Sequence, residues 1–201
     1  MIEKMPPTKS NLFKLVRELK FSTEGYELLD RKREVLIMEV VQVMHNVKKL
    51  QMQLHGTLKK AYELFEQAYI TMGSTGIERA NYAFLQPLEL SIKERSVMGV
   101  LVPNISLVNQ LQKAKLGMLD TTEELDLAIH EFQKVVPLLV EYTQANLTLT
   151  RLAKEIQKTQ RRVNALENIF IPNASDTIKF IQNSLEENER DDLFRRKKVK
   201  K

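Results

Sequence analysis

Between residues 9 and 72 apolar side chains return every three or four positions. Stepping by sevens from Leu12 meets Leu12, Leu19, Tyr26, Arg33, Val40, Val47, Leu54, Ala61 and Ala68, and from Leu15 it meets Leu15, Ser22, Leu29, Leu36, Val43, Leu50, Thr57 and Leu64. Only Ser22, Arg33 and Thr57 interrupt the stripe. A seven-residue repeat held this long keeps one face toward a partner helix and predicts a left-handed coiled coil. The stretch contains no proline and only Gly25 and Gly56, so it reads as one helical arm, about 95 Å long if unbroken.

A second arm opens at Asp120-Thr121-Thr122-Glu123-Glu124, where Thr121 and Glu124 have capping-box spacing. Its stripe runs through Leu149, Leu152, Ile156, Thr159, Val163, Leu166 and Phe170, then shifts to Ile178, Ile181 and Leu185. Pro172 stands at the shift; a proline lacks a backbone donor and crowds the preceding turn, so an interruption is expected at residues 169–173. Pro137 is a second weak point. The simplest way to bury both stripes is to pair the arms antiparallel within the chain. Folding about residue 97 would bring together positions whose numbers sum to about 194, with both termini at one end.

Gly73, Gly76, Pro87, Gly99, Pro103 and Gly117 cluster in the middle and divide the chain into an N-terminal arm (1–72), a middle region (73–118) and a C-terminal arm with a basic tail (119–201). Residues 77–86 predict a short helix ending at Pro87. Leu88, Leu90 and Ile92 alternate with polar residues, and Val97, Val100 and Val102 belong to a second apolar run. These predict a β-hairpin turning near residues 93–96. Isolated hairpins are marginal in water, so this one must pack on the helices or on a partner. The expected class is therefore mainly α: a long antiparallel two-helix left-handed coiled coil with a short middle helix and a β-hairpin.

Composition narrows the chemistry. The 201 residues include no cysteine, which excludes disulfides, thiol nucleophiles, iron–sulfur clusters and thiolate zinc sites. The formal charge is +5, but Arg195, Arg196, Lys197, Lys198, Lys200 and Lys201 supply six positive charges and leave the remainder near neutral. That tail lacks stacking aromatics or a nucleic-acid-binding signature, and a solvated helix end accounts for it. His45, His55 and His130 have no metal-ligand spacing, and no phosphate-cradling glycine motif occurs. No cofactor is expected. No run approaches the ~20 apolar residues that span a bilayer, and the N-terminus has no secretory signal pattern, so a cytoplasmic protein without direct membrane insertion is expected.

Separated motifs carry a resemblance. Pro7-Thr8-Lys9-Ser10-Asn11-Leu12 and the run from Glu24-Gly25-Tyr26 to Arg33-Glu34-Val35-Leu36 resemble the N-terminal arm of the D subunit of V-type and archaeal A-type rotary ATPases. Arg95-Ser96-Val97-Met98-Gly99-Val100 is similar to the hairpin of that family. Arg161-Arg162-Val163-Asn164-Ala165-Leu166-Glu167, Ile171-Pro172, Thr177-Ile178-Lys179-Phe180-Ile181 and the charged run 186–198 resemble its C-terminal arm. The resemblance implies a non-catalytic central rotor shaft that transmits torque between ATP turnover in the head and ion translocation in the membrane ring. It implies as partners the alternating A and B subunits of the head, a small F subunit on the shaft and a funnel-shaped component (C, or d in eukaryotic naming) above the ring. Such a protein would sit on the cytoplasmic face of a membrane within a peripheral complex. Arg31, Lys32, Arg33, Arg161, Arg162, Arg190, Arg195 and Arg196 are the candidate head contacts. A stand-alone coiled-coil scaffold and a nucleic-acid-binding arm are the alternatives from other classes.

Overall fold

The computed structural model describes residues 5–81, 88–108 and 122–199. Along the chain come helix α1 (Lys9–Asn81), strands β1 (Leu90–Val97) and β2 (Val100–Leu107), helix α2 (Glu123–Ala165), a π-helical turn (Leu166–Phe170) and helix α3 (Ile171–Val199). The chain divides into two compact units, one made of Met1–Ile37 with Glu155–Lys201 and the other of Met38–Lys154.

The ends of the helices follow local chemistry. Thr8 caps α1: its hydroxyl oxygen accepts from the Asn11 amide at 3.3 Å and its carbonyl from the Leu12 amide at 3.0 Å. At the start of α2 the Thr122 carbonyl accepts from the Leu125 and Asp126 amides. Glu123, Glu124 and Asp126 place negative charge in that first turn, where the helix dipole favours it. The capping residue expected at Thr121 lies outside the described residues. Arg196, Lys197 and Lys198 occupy the last turn of α3, the complementary end.

In the first unit α1 pairs antiparallel with the end of α2 and with α3. Leu15, Ile178 and Ile181 form a buried cluster ringed by Leu12, Leu19 and Leu185. Leu36 and Val163 are also closed to solvent. Lys9 Nζ meets Glu189 Oε1 at 2.8 Å and Arg33 Nη1 donates to Gln160 Oε1 at 3.0 Å, pairings that lie close to the register expected from folding about residue 97.

The turn Leu166–Phe170 is the interruption expected near Pro172, but it widens the helix instead of breaking it. The Ile171 amide donates to the Leu166 carbonyl, five residues back. Phe170, expected on the stripe, is 59% exposed, because the extra residue of the wide turn carries it off the packed face. Pro137, by contrast, is exposed inside an unbroken α2.

In the second unit α1 packs on α2 through small residues. Ala61, Ala68 and Ala128 are closed to solvent, with Leu125 and Val135 beside them. Phe132 stands edge-on to Tyr62 and Phe65, with ring centroids 5.5 and 6.2 Å apart. Gly73, at φ 67° and ψ 173°, breaks the helical path of α1; the left-handed φ is the conformation glycine tolerates best. The expected helix at 77–86 is thus the end of α1 as far as Asn81, and its last five residues lie outside the described ones.

The hairpin forms, but its turn is not at residues 93–96. Those residues belong to β1, and the turn is Met98-Gly99, with φ of 51° and 79°. A two-residue hairpin turn of this type needs positive φ at both central positions, which Gly99 adopts freely and the charged run would not. Leu88 precedes the strand; the pairs run from Leu90↔Leu107 to Val97↔Val100.

Candidate functional site

The helices direct their stripes toward one another, and this fixes which side chains remain for recognition. Of the stripe residues in α1, Leu36 and Val47 are buried, while Leu12, Leu19, Val40, Val43, Leu50 and Leu54 are half-buried. In α2, Leu152 and Val163 are buried and Leu149 and Ile156 half-buried; Leu166, in the π-turn, is also half-buried. The three interruptions differ in kind. Ser22 and Thr57 are half-buried, and Thr57 returns its hydroxyl to the Gln53 carbonyl.

Arg33 is the informative interruption. Its side chain is 24% exposed, with Nη2 2.5 Å from Asp30 Oδ1, while Nη1 donates to Gln160, whose amide in turn donates to Asn164 Oδ1 at 2.6 Å. A charge at the edge of a helix seam persists only where partners compensate its desolvation, and here they come from both helices. Arg33 therefore joins the helices instead of facing outward. Its neighbour Lys32 is half-buried against Glu155 at 3.6 Å.

The other candidates face solvent. Arg31 reaches Glu27 at 3.7 Å and Arg190 reaches Glu186 at 3.8 Å, each on its own helix. Such exposed pairs stabilise weakly and exchange partners easily. Arg161, Arg162, Arg195 and Arg196 are exposed. Near the π-turn, Tyr26 on α1 has its hydroxyl pKa raised, first by the Glu167 carboxylate and then by burial.

The hairpin is attached to α2 by residues that carry no signal in the sequence. Gln144 Oε1 accepts from the Ile105 amide at 2.8 Å, and Arg151 Nη1 donates to the Leu101 carbonyl at 2.8 Å while lying 3.6 Å from Glu94. The ladder explains this choice. The Val108 amide donates to the Glu89 carbonyl across the strands, so in the alternating antiparallel pattern Leu101, Pro103 and Ile105 turn their backbone groups away from β1. Pro103 has no amide to satisfy there, and α2 side chains serve the two flanking residues. Val102 is closed to solvent and Val97 and Val100 are half-buried, whereas Leu88, Leu90 and Ile92 are 46%, 47% and 64% exposed.

The same unit has a groove of about 400 Å³ lined by Met52, Gln53, Gly56, Thr57, Lys60, Glu131, Lys134 and Leu138. A hydrogen bond from Lys134 at 2.6 Å holds the Glu131 carboxyl below its ordinary pKa. Among the described residues no three His, Asp or Glu side chains converge as a metal site, and no helix is long and apolar enough to cross a membrane. The geometry offers outward charges, a tethered hairpin and a groove.

Known proteins similar to this chain share nearly its whole length. The family model for the D subunit of ATP synthase matches residues 11–201. The D subunit of the V-type ATP synthase of Thermotoga neapolitana is 38% identical, over 96% of this chain and 96% of its own. Its counterpart in the A-type ATP synthase of Pyrococcus abyssi is 37% identical over 99% of this chain and 94% of its own, and that of Methanopyrus kandleri 36% over 100% and 87%. Matched almost from end to end by the family model and by these relatives, the chain belongs to the family of ATP synthase D subunits.

Proposed function

We propose that this chain is the non-catalytic central rotor shaft of a V-type or A-type rotary ATPase, carrying torque between ATP turnover in the head and ion translocation in the membrane ring. The observation that supports this most is the contrast between the two sides of the helices. Apolar stripe residues face the partner helix, while Arg31, Arg161, Arg162, Arg190, Arg195 and Arg196 stand on the outside. A shaft must meet three similar catalytic interfaces in succession, so its contacts should be polar and replaceable, as exposed charges are. Two packed helices also resist twisting better than one. The A and B subunits of the head would receive the charges of Arg31, Arg161, Arg162 and Arg190, with Arg195 and Arg196 in a solvated tail that adds little. The F subunit would bind the shaft, and the C or d subunit would lie beneath it above the ring. The complex would be peripheral, on the cytoplasmic face of its membrane.

Reconstitution with the head proteins tests this reading. Replacing residues 88–103 by a short Gly/Ser connection should leave both arms bound to the head while changing ATP turnover or its coupling to ion pumping. Deleting residues 195–201 should leave binding largely intact at physiological salt. Failure of the full chain to bind the head, or binding without any effect on turnover, would refute the rotor assignment and return the stand-alone scaffold.

A further inference from the structure

The packed positions of the C-terminal arm keep a strict rhythm with one irregularity. From Ile156 they step by three and four through Thr159, Val163 and Leu166, and from Ile171 they do so again through Ala174, Ile178, Ile181 and Leu185; all are buried or half-buried. Between Leu166 and Ile171 the step is five. That gap coincides with the π-turn, where the Ile171 amide reaches the Leu166 carbonyl. The chain thus carries one residue more than its seam requires, and the wide turn holds it.

Two neighbours fix the extra residue at this place. Pro172 has no amide for the Asn168 carbonyl and its ring crowds that carbonyl, so an ordinary α-helical turn is penalised immediately after the wide one. Asn168 Nδ2 donates to the Asn164 carbonyl at 3.1 Å, supplying a side-chain donor where the backbone ladder changes from four-residue to five-residue spacing. On the N-terminal side, Arg33 bonded to Gln160 ties α1 to α2 just before the turn. On the far side the cluster of Leu15, Ile178 and Ile181 ties α1 to α3.

We propose that Leu166–Phe170 is a torsional joint: the surplus residue lets α3 turn about its own axis relative to the end of α2 through an angle small enough that the Leu15, Ile178 and Ile181 cluster and the Arg33–Gln160 bond, both anchored on α1, persist. One residue corresponds to roughly 100° of helix rotation, so small changes in how the wide turn distributes its bonds rotate the face of α3. π-turns recur at functional positions in helices. The outward arginines Arg161 and Arg162 lie before the joint and Arg190 after it, so the joint sets the relative direction of these groups.

The full chain lacks cysteine, which permits site-specific spin labelling. Lys158→Cys and Lys179→Cys are exposed positions on either side of the turn, about 30 Å apart along the axis. Pulsed electron resonance should give a distance distribution at least twofold broader in the otherwise unaltered chain than after deletion of Ile169. The deletion should make the stripe regular and preserve helicity and melting temperature. Pro172→Ala, which frees the extra residue to migrate, should broaden or displace the distribution. Equal widths with and without Ile169, a deletion that lowers the melting temperature, or a Pro172→Ala distribution identical to the parent would each overturn the joint. These measurements use the chain alone and are independent of the rotor assignment.

Discussion

Ile181 gives the sharpest test of the packing. It is closed to solvent between Leu15 and Ile178, whereas its neighbour Phe180 is 56% exposed. Truncating Ile181 to alanine removes three buried carbons and leaves a cavity that the half-buried ring of Leu12, Leu19 and Leu185 can partly fill. Buried Ile-to-Ala changes cost about 2–5 kcal/mol, and partial collapse places this one near the lower end, about 2–3 kcal/mol. Phe180→Ala deletes a larger side chain but removes little packed area, so its cost should stay within about 0.5 kcal/mol. For a chain of this length each kcal/mol corresponds to about 2–4 °C in melting temperature, so Ile181→Ala should melt about 5–10 °C below the parent. Circular dichroism at 222 nm reads both variants, and amide exchange at Leu15 localises the loss to the same cluster. A Phe180→Ala shift as large as that of Ile181→Ala would refute the assignment of the packed face of α3.

Leu50→Asp places a carboxylate at a half-buried position of α1 and should destabilise the helix pair by about 2–3 kcal/mol; an unchanged denaturant midpoint would put Leu50 on the solvent side. Gln144→Ala removes the acceptor of the Ile105 amide, so exchange at Ile105 should accelerate while Val102, paired with Arg95 across the ladder, keeps its rate. Unequal effects in the opposite sense would undo the account of the hairpin edge. Lys9 lowers the Glu189 carboxyl below its ordinary 4.5, chiefly through their hydrogen bond. That contribution is complete above the ordinary carboxylate pKa and disappears as pH falls through the lowered value. Lys9→Ala should return the Glu189 carbon titration, followed by NMR, toward 4.5, and adding salt to the parent should move it the same way.

The helices and the pattern of their packed faces are legible in the sequence because a heptad repeat is local arithmetic. A side chain seven positions from Leu36 returns to the same side of the helix, and Leu29 and Val43 are accordingly half-buried on either side of it. The antiparallel partner also follows, since two such stripes in one chain have each other at hand. The hairpin is legible as two apolar runs, but its turn lies elsewhere than the charged residues suggest. Its position depends on positive φ at two adjacent residues, and Gly99 is the residue there that adopts it without strain. Three further features were decided by tertiary structure. Arg33 reads as an outward cation, and the facing Gln160 draws it into the helix pair. Gln144 and Arg151 carry no motif because their partners are backbone groups of a strand distant in sequence. Phe170 continues the stripe in the sequence, yet the seam is a property of two helices in contact, so where one of them holds an extra residue the contact selects Ile171 and turns Phe170 to solvent.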